Sequence, residues 1–228
     1  MISSKIANEF VRLHHYSGKV VNNSTLHFGV FLHQKLHGVM SFGNPLDKSK
    51  VLPLVHGTGW NEMIELNRMA FDEHLPKNSE SRAISIAIRL LKKNAPQVKW
   101  ILSYADGTQC GDGTIYRASG FALTMIKPNS DLFSLPDGRI IHSFNFKAAS
   151  GSEKMKMMKL GYTNMLKYLN EVYPGWIKLK GFQLRYIYFI DPSARERLKD
   201  PILPFSEIDR RGAGMYKGKN ISLQDRKQ

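Results

Sequence analysis

Val98-Lys99-Trp100-Ile101-Leu102-Ser103-Tyr104, followed by Asp106-Gly107-Thr108, decides the fold. A short apolar run with β-branched and aromatic residues reads as a strand covered on both faces, and Asp-Gly-Thr breaks it. Before it, Ala83, Ile84, Ala87, Ile88 and Leu91 recur at the one-and-four spacing of an amphipathic helix. Asn94 and Pro96 stop that helix, and Asn78 or Ser79 is suited to cap it. Earlier still, a strand over residues 61–70 carries Met63, Ile64, Leu66 and Met69, and a loop over 71–81 joins it to the helix. After the deciding run, residues 114–119 form a short helix closing on Gly120, which suits a left-handed C-cap, and 121–126 return as a strand. Strand, helix, strand, helix, strand is an α/β order.

Working outward, residues 25–31 and 36–42 read as an antiparallel hairpin about His33-Gln34-Lys35, ended by Gly43-Asn44-Pro45. A short helix over 5–13, with Ile6, Phe10 and Leu13 on one face, leads into His14-His15-Tyr16-Ser17-Gly18-Lys19. That segment is polar, aromatic and turn-forming, which suits a loop lining a site. Toward the other end, residues 152–171 set Lys154, Lys156, Lys159 and Lys167 around Met155, Met158, Met165, Leu166 and Leu169, an amphipathic stretch with a break at Gly161. Residues 182–190 read as a late strand whose aromatic content suits sheet packing. Arg210-Arg211 and the tail 217–228 are basic and read as mobile. The expectation is an α/β (α+β mixed sheet) protein with a core over 1–140 and a basic C-terminal extension over 141–228 packed on the same domain.

The chain has 228 residues, of which 42% are hydrophobic, enough for one sizeable core. Thirty-three Lys and Arg against nineteen Asp and Glu give a net charge of +14, which points to a polyanionic partner. Residues 141–228 carry 17 basic and 8 acidic residues, a net +9, so the C-terminal part is the more basic. No apolar run is long enough to span a membrane and the first residues carry Lys5, Glu9 and Arg12, so a soluble, cytoplasmic protein without a membrane role is expected. Cys110 stands alone, which excludes an internal disulfide and a thiolate metal site; with no basic neighbour in sequence it reads as an ordinary loop thiol. His14-His15 and His33-x-x-x-His37 lack Cys or carboxylate partners at recognised spacing, so no protein metal site is expected.

Two resemblances add to this reading. Ile115-Tyr116-Arg117-Ala118-Ser119-Gly120-Phe121 resembles the FYxxxGF segment that closes the core of N-acetyltransferases, implying a GNAT-like central sheet flanked by helices, a coenzyme A thioester such as acetyl-CoA as cofactor, and Tyr116 as proton donor to the departing thiolate. The usual Gly-rich pyrophosphate turn is replaced by Leu75-Pro76-Lys77-Asn78-Ser79-Glu80-Ser81-Arg82. There Lys77, Asn78, Ser79, Ser81 and Arg82 are the candidates to hold a pyrophosphate at a helix N-terminus, with Glu80 opposing. The second resemblance covers most of the chain. His14-His15-Tyr16-Ser17-Gly18, Glu65-Leu66-Asn67-Arg68, Leu75 to Ser81, Ser103-Tyr104-Ala105-Asp106, Gly113-Thr114-Ile115-Tyr116, and late on Arg185 to Pro192 and Pro201-Ile202-Leu203-Pro204 are similar to the phage Mom family.

That resemblance implies a transferase that converts adenine in duplex DNA to its N6-carbamoylmethyl form and so protects phage genomes from host restriction. It singles out His15, Tyr16, Arg68, Asp106 and Tyr116. Asp106 would hydrogen-bond the adenine amine and accept its proton, Arg68 would pair with a phosphate or a donor carboxylate, and Tyr16 with His15 would orient an extruded base. Plainer roles stand beside these: a turn aspartate, a surface salt bridge from Arg68 to Glu65 or Asp72, a solvated His14-His15 loop, and a Tyr116 that only packs. Acyl transfer from acetyl-CoA would leave an acetamide, so the amide nitrogen of the product needs its own source, and the group donor is otherwise open. An N-acetyltransferase acting on a protein or small amine, and a DNA-binding protein that has lost catalysis, remain as alternatives. Monomer and homodimer are equally compatible with the sequence.

Overall fold

The computed structural model describes residues 1–129, 131–148, 151–216 and 219–220; the basic tail read from 217–228 otherwise lies outside the described residues. Helix α1 (Ser4–His14) precedes the hairpin β1 (Ser24–Leu32) and β2 (Lys35–Gly43), then a one-turn helix α2 (Lys48–Val51) and strand β3 (Met63–Phe71). Helix α3 (Ser79–Asn94) crosses to β4 (Trp100–Asp106); α4 (Thr114–Ala118) and β5 (Ala122–Asn129) follow. Next come β6 (Leu132–Ser134), β7 (Ile140–His142), α5 (Phe144–Lys147), α6 (Ser152–Lys159), α7 (Met165–Val172) and β8 (Ile177–Lys178). Strand β9 (Gly181–Phe189) returns to the main sheet, and short helices α8 (Pro192–Glu196) and α9 (Ser206–Arg210) follow it. The expected mixed α/β sheet flanked by helices is present.

The six-stranded sheet runs β1-β2-β3-β4-β9-β5, and every neighbouring pair is antiparallel except β3 with β4. Strand β4 is buried from both sides, as its apolar run requires. Ile101 packs with Leu66 and with Ile84 and Ile88 of α3, while Trp100 and Leu102 pack with Val55, Met63, Ile187 and Ala194 on the other face. Helix α1 closes the sheet's far end by placing Ala7, Phe10 and Val11 against Val39 and Ala70.

The parallel pair β3/β4 is short: Met63, Ile64 and Glu65 oppose Trp100, Ile101 and Leu102. Beyond these, β3 continues against β2 as far as Phe71, and β4 against β9 as far as Asp106. The sheet therefore opens between its two halves, with Arg68 on one lip and Asp106 on the other. Strand β9, the late strand of the sequence reading, lies between β4 and β5 inside the main sheet.

Residues 132–178 form a second packed region on the path from β5 to β9. A three-stranded sheet, β7-β6-β8, and α5 to α7 enclose Phe133, Leu135, Ile141, Phe146, Met157, Tyr168 and Leu169. Inside it, buried Glu153 accepts from Tyr168 Oη at 3.2 Å and pairs with Lys156 at 2.9 Å and Arg139 at 3.4 Å.

Several local expectations need correction. Ser79, Glu80 and Ser81 belong to the first turn of α3 and not to the preceding loop, and Asn78 occupies the N-cap position with φ +68° and without a side-chain cap. Lys35 already belongs to β2, since the hairpin turn is His33-Gln34, both with positive φ. The stretch 152–171 is two helices separated at Gly161 (φ +79°), which resets the helical phase; Met157, Tyr168 and Leu169 pack, whereas Met155, Met158 and Leu166 are exposed.

Gly181 shows how tightly β9 is fitted against the turn after β4. A Cβ there would lie 1.9 Å from Thr108 Oγ1 and 2.6 Å from Thr108 Cβ, so any side chain pushes the turn that follows Asp106. Gly181→Ala should lower unfolding free energy by about 1–3 kcal/mol through overpacking, measured by denaturant titration, with exposed Lys180→Ala within about 0.5 kcal/mol as the control.

Candidate active site at the opening of the sheet

A cavity of about 620 Å³ lies over this opening, between the main sheet and the second packed region. Tyr16, Arg68 and Asp106, far apart in sequence, line it together with Lys19 and Gln109; Ile140, His142 and Asn145 line it from the second region. Asp106 ends β4, and its two carboxylate oxygens accept from the Thr108 N–H at 3.0 Å and Gln109 Nε2 at 2.8 Å. These bonds belong to the Asp-Gly-Thr turn seen in the sequence, so the turn residue and the site residue are the same group, held in one orientation.

Arg68 is fixed by carbonyls: its Nε donates to Lys19 O at 2.9 Å and its Nη1 to Asn67 O at 2.8 Å. Neither the bridge to Glu65 nor that to Asp72 forms, and among the described residues Arg68 is in no ion pair. Burial depresses its pKa, the field of Glu65 opposing. A guanidinium with its charge unspent at a cavity wall is available to an anion.

His15 ends α1 in extended conformation, and its Nδ1 accepts from the Ser17 N–H at 3.2 Å and meets Ser17 Oγ at 2.8 Å. Burial, assisted by the Arg68 charge, lowers its pKa to about 4, so it is neutral at physiological pH. Its ring lies against Tyr16 with 4.2 Å between centroids and the planes tilted by 33°. Tyr16 presents half its surface to solvent while its phenol lies within the fields of Cys110, Asp106, Arg68 and Tyr116; burial of that end raises its pKa, so the phenol keeps its proton. Cys110 hydrogen-bonds to Tyr16, and burial with the Asp106 charge pushes its thiol up to about 12, which agrees with an unreactive thiol.

Tyr116 does not line this cavity. It is buried in the main core, its ring 5.3 Å from Tyr186 and 5.4 Å from Phe121, and its hydroxyl bonds to Ser103 of β4. Burial raises its pKa, so it too remains a protonated phenol, between the cavity and α3. Both sequence readings of this residue, packing and proton donation, are compatible with that placement.

The sequence reading gave Glu65 only as a surface salt-bridge partner of Arg68, not as a site residue. It sits on β3 where pairing with β4 ends, and its field reaches Arg68, Tyr104 and Tyr116. Burial raises its pKa to about 7, with Arg68 and a hydrogen bond from Asn67 opposing. The signal was present as a carboxylate in an apolar strand three residues from an arginine.

The coenzyme A candidates are also brought together. Lys77, Asn78, Ser79, Ser81 and Arg82 line a separate cavity of about 370 Å³ at the start of α3, with Ser85 and with Ala118 of α4. Asn78 is left-handed and supplies no capping side chain; the Ser79 N–H donates to Pro76 O at 3.2 Å, while the N–H groups of Glu80 and Ser81 are left to other acceptors, and the Glu80 side chain is not part of the cavity lining. Two cationic side chains beside a helix N-terminus suit a pyrophosphate, although the Ser79, Ser81 and Ser85 hydroxyls already donate to the carbonyls of Pro76, Asn78 and Ser81.

The histidines need one further correction. His37 does have convergent partners: its Nδ1 lies 2.8 Å from Asp72 Oδ2, and His74 Nδ1 lies 3.3 Å from Asp72 Oδ1. The three could hold a metal ion. The sequence gave His33 and His37 no carboxylate partner, but the pairing of Gly38 with Phe71 brings Asp72 to His37. No described helix is long and apolar enough to cross a membrane.

The Glu65 environment makes a pH prediction. An unfolded chain ionises this carboxyl near 4.5, whereas the folded protein keeps it protonated to about 7, so across that interval the native state binds more protons and loses stability as pH rises. Glu65→Gln keeps the shape of the neutral form at every pH. Its thermal midpoint relative to the parent should therefore rise between pH 5 and pH 8; a pH-independent difference would mean the carboxyl is not held neutral.

The model of the Mom protein family matches residues 1–207. The methylcarbamoylase mom of Escherichia phage Mu is 34% identical over 198 residues, spanning 86% of this chain and 77% of the phage protein. Among solved structures, a Bacillus subtilis acetyltransferase in complex with CoA aligns over 83% of this chain and 94% of its own length, at 11% identity and a TM-score of 0.43. AAC(6')-Ib with ribostamycin and coenzyme A aligns over 78% of this chain and 69% of its own, at 12% identity and a TM-score of 0.35. Scores this low do not bear on function. The family match is of another order, running through every segment that builds the opening in the sheet, and the chain belongs to the Mom protein family.

Proposed function

We propose that this chain is a transferase that places a carbamoylmethyl group on the exocyclic amine of adenine in duplex DNA, as a phage defence against restriction. The observation that carries this reading is the convergence of Tyr16, Arg68 and Asp106 on one cavity at the opening between β3 and β4. A carboxylate oriented by two donors suits an amine, which presents N–H groups and must lose a proton when its nitrogen forms a new bond. The half-exposed Tyr16, backed by the neutral His15 ring, offers an aromatic face for a base turned out of the duplex. Arg68 pairs with an anionic part of the acceptor or of the donor.

The donor side of the reading is a coenzyme A thioester at the start of α3, with Lys77 and Arg82 against its phosphates. Such a thioester, when bound, would supply an acyl unit with coenzyme A leaving as its thiol; acyl transfer alone leaves an acetamide, so the amide nitrogen of the carbamoylmethyl product would have to come from a separate nitrogen donor. Tyr116, held neutral in the core beside Ser103 and lining neither cavity, would in this reading be the phenol that returns a proton to the departing thiolate. The net +9 of residues 141–228 and the exposed Lys159 and Lys167 support a DNA-clamping role for the C-terminal part, acting through phosphates. An acetyltransferase for proteins or small amines gives that charge no purpose.

Mass spectrometry of nucleosides from plasmid DNA tests the reading directly. Cells expressing the parent chain should yield an adenine nucleoside heavier by a carbamoylmethyl group, absent with Asp106→Ala and reduced at least about tenfold with Tyr116→Phe, in line with loss of a general acid. Unmodified DNA from cells holding folded parent protein would return the assignment to a small-amine or protein acetyltransferase.

A further inference from the structure

The second packed region lies between β5 and β9, and it lines the cavity that faces Asp106. Its polar contribution to that wall includes His142, the last residue of β7, and Asn145 in α5. The Phe144 N–H donates to His142 Nδ1 at 3.0 Å, and burial lowers the pKa of the ring. A neutral imidazole whose Nδ1 accepts a hydrogen bond carries its proton on Nε2 and can donate from there. The Asn145 amide makes no side-chain hydrogen bond among the described residues, although its residue is half-buried and its backbone sits in a helix. An asparagine amide presents a donor and an acceptor side by side, the pattern that matches N7 and the amine of adenine.

We propose that His142 and Asn145 are the base-reading edge of this enzyme: Asn145 pairs with the amine and adjoining ring nitrogen of an extruded adenine, Asp106 takes the amine's other hydrogen, and His142 donates to the ring nitrogen on the far side. The inference rests on the reading of the cavity as a site for a DNA base. Guanine fails at all three positions, because its carbonyl oxygen meets both the Asn145 amide oxygen and the Asp106 carboxylate, and its protonated ring nitrogen meets the His142 donor. The region that carries the pair holds its own core of Phe133, Phe146, Tyr168 and Leu169, so the reading edge is mounted on a rigid support.

Fluorescence anisotropy with labelled duplexes tests this without any group donor. Three probes are compared: a fully paired duplex, one with a single bulged adenine, and one with a single bulged guanine, since a bulged base is already unstacked. The parent should prefer the adenine bulge over the guanine bulge by about tenfold or more, as expected for a bidentate contact. Asn145→Ala, Asn145→Asp and His142→Ala should each shrink that ratio toward one, while affinity for the paired duplex and its salt slope stay within about twofold. Thermal midpoints of the three variants should match the parent, so a lost preference is not a lost fold. Retention of the preference in all three variants, or a parent that binds paired duplex but does not distinguish the bulges, overturns the inference. A folded parent that binds no duplex even at low salt overturns the DNA reading itself, and this inference with it.

Discussion

Three residue pairs of parallel sheet hold the two halves of this protein together at its centre, and the site exists because there are only three. Met63, Ile64 and Glu65 lie beside Trp100, Ile101 and Leu102, after which each strand keeps its outer neighbour and loses its inner one. Backbone groups released from pairing inside a sheet must find other partners. One of them does so visibly: Ser103 Oγ donates to Leu66 O at 3.2 Å across the parting. Everything chemical is arranged around that parting, with Glu65 where pairing ends, Arg68 and Asp106 on opposite lips, and Tyr116 bonded to Ser103 behind it. The flanking cores clamp the opening, since Leu66 and Ile101 are packed under α3 and Leu102 is packed on the opposite face.

The ionisation pattern follows from this geometry. Burial keeps the phenols of Tyr16 and Tyr116 protonated and the imidazole of His15 neutral, so the side chains at the parting that retain charge at neutral pH are few. Arg68 is held by carbonyls, which fix its position without neutralising it. Burial raises the Glu65 pKa to about 7, so its carboxyl changes charge near neutral pH. The proposed handling of an amine and an anionic donor would use Arg68, held by carbonyls, the oriented Asp106 carboxylate and the protonated phenols.

The sheet core was legible in the sequence because its signals are local. The apolar run at Trp100–Asp106, the helical spacing at Ala83 to Leu91 and the Gly120 turn each specify an element within a dozen residues. The resemblance then picked out Tyr16, Arg68 and Asp106, which the fold brings to one cavity. What stayed hidden depends on long-range placement. Nothing near residue 183 says that this strand enters between β4 and β5, and the packed region around Phe133 and Tyr168 is built from segments 35 residues apart whose patterns are short. The grouping of His37 with Asp72 and His74 is a product of strand register, invisible to spacing rules. Asn78 reads as a capping residue, and only its positive φ reveals that the helix N-terminus is left uncapped.

In the proposed reading donor and acceptor are held in two separate cavities, the acceptor over the parting of β3 and β4 and the donor at the start of α3. Thermal unfolding with and without coenzyme A, run on the parent, on Lys77→Ala/Arg82→Ala and on Asp106→Ala, addresses it most directly. A ligand that binds only the folded state raises the midpoint, by about 2.7 kcal/mol of added stability at a hundredfold excess over its dissociation constant. The account predicts a clear rise for the parent and for Asp106→Ala alike, and a rise largely lost when both cations at the start of α3 are removed. No rise in the parent, or an equal rise in the double variant, would contradict it.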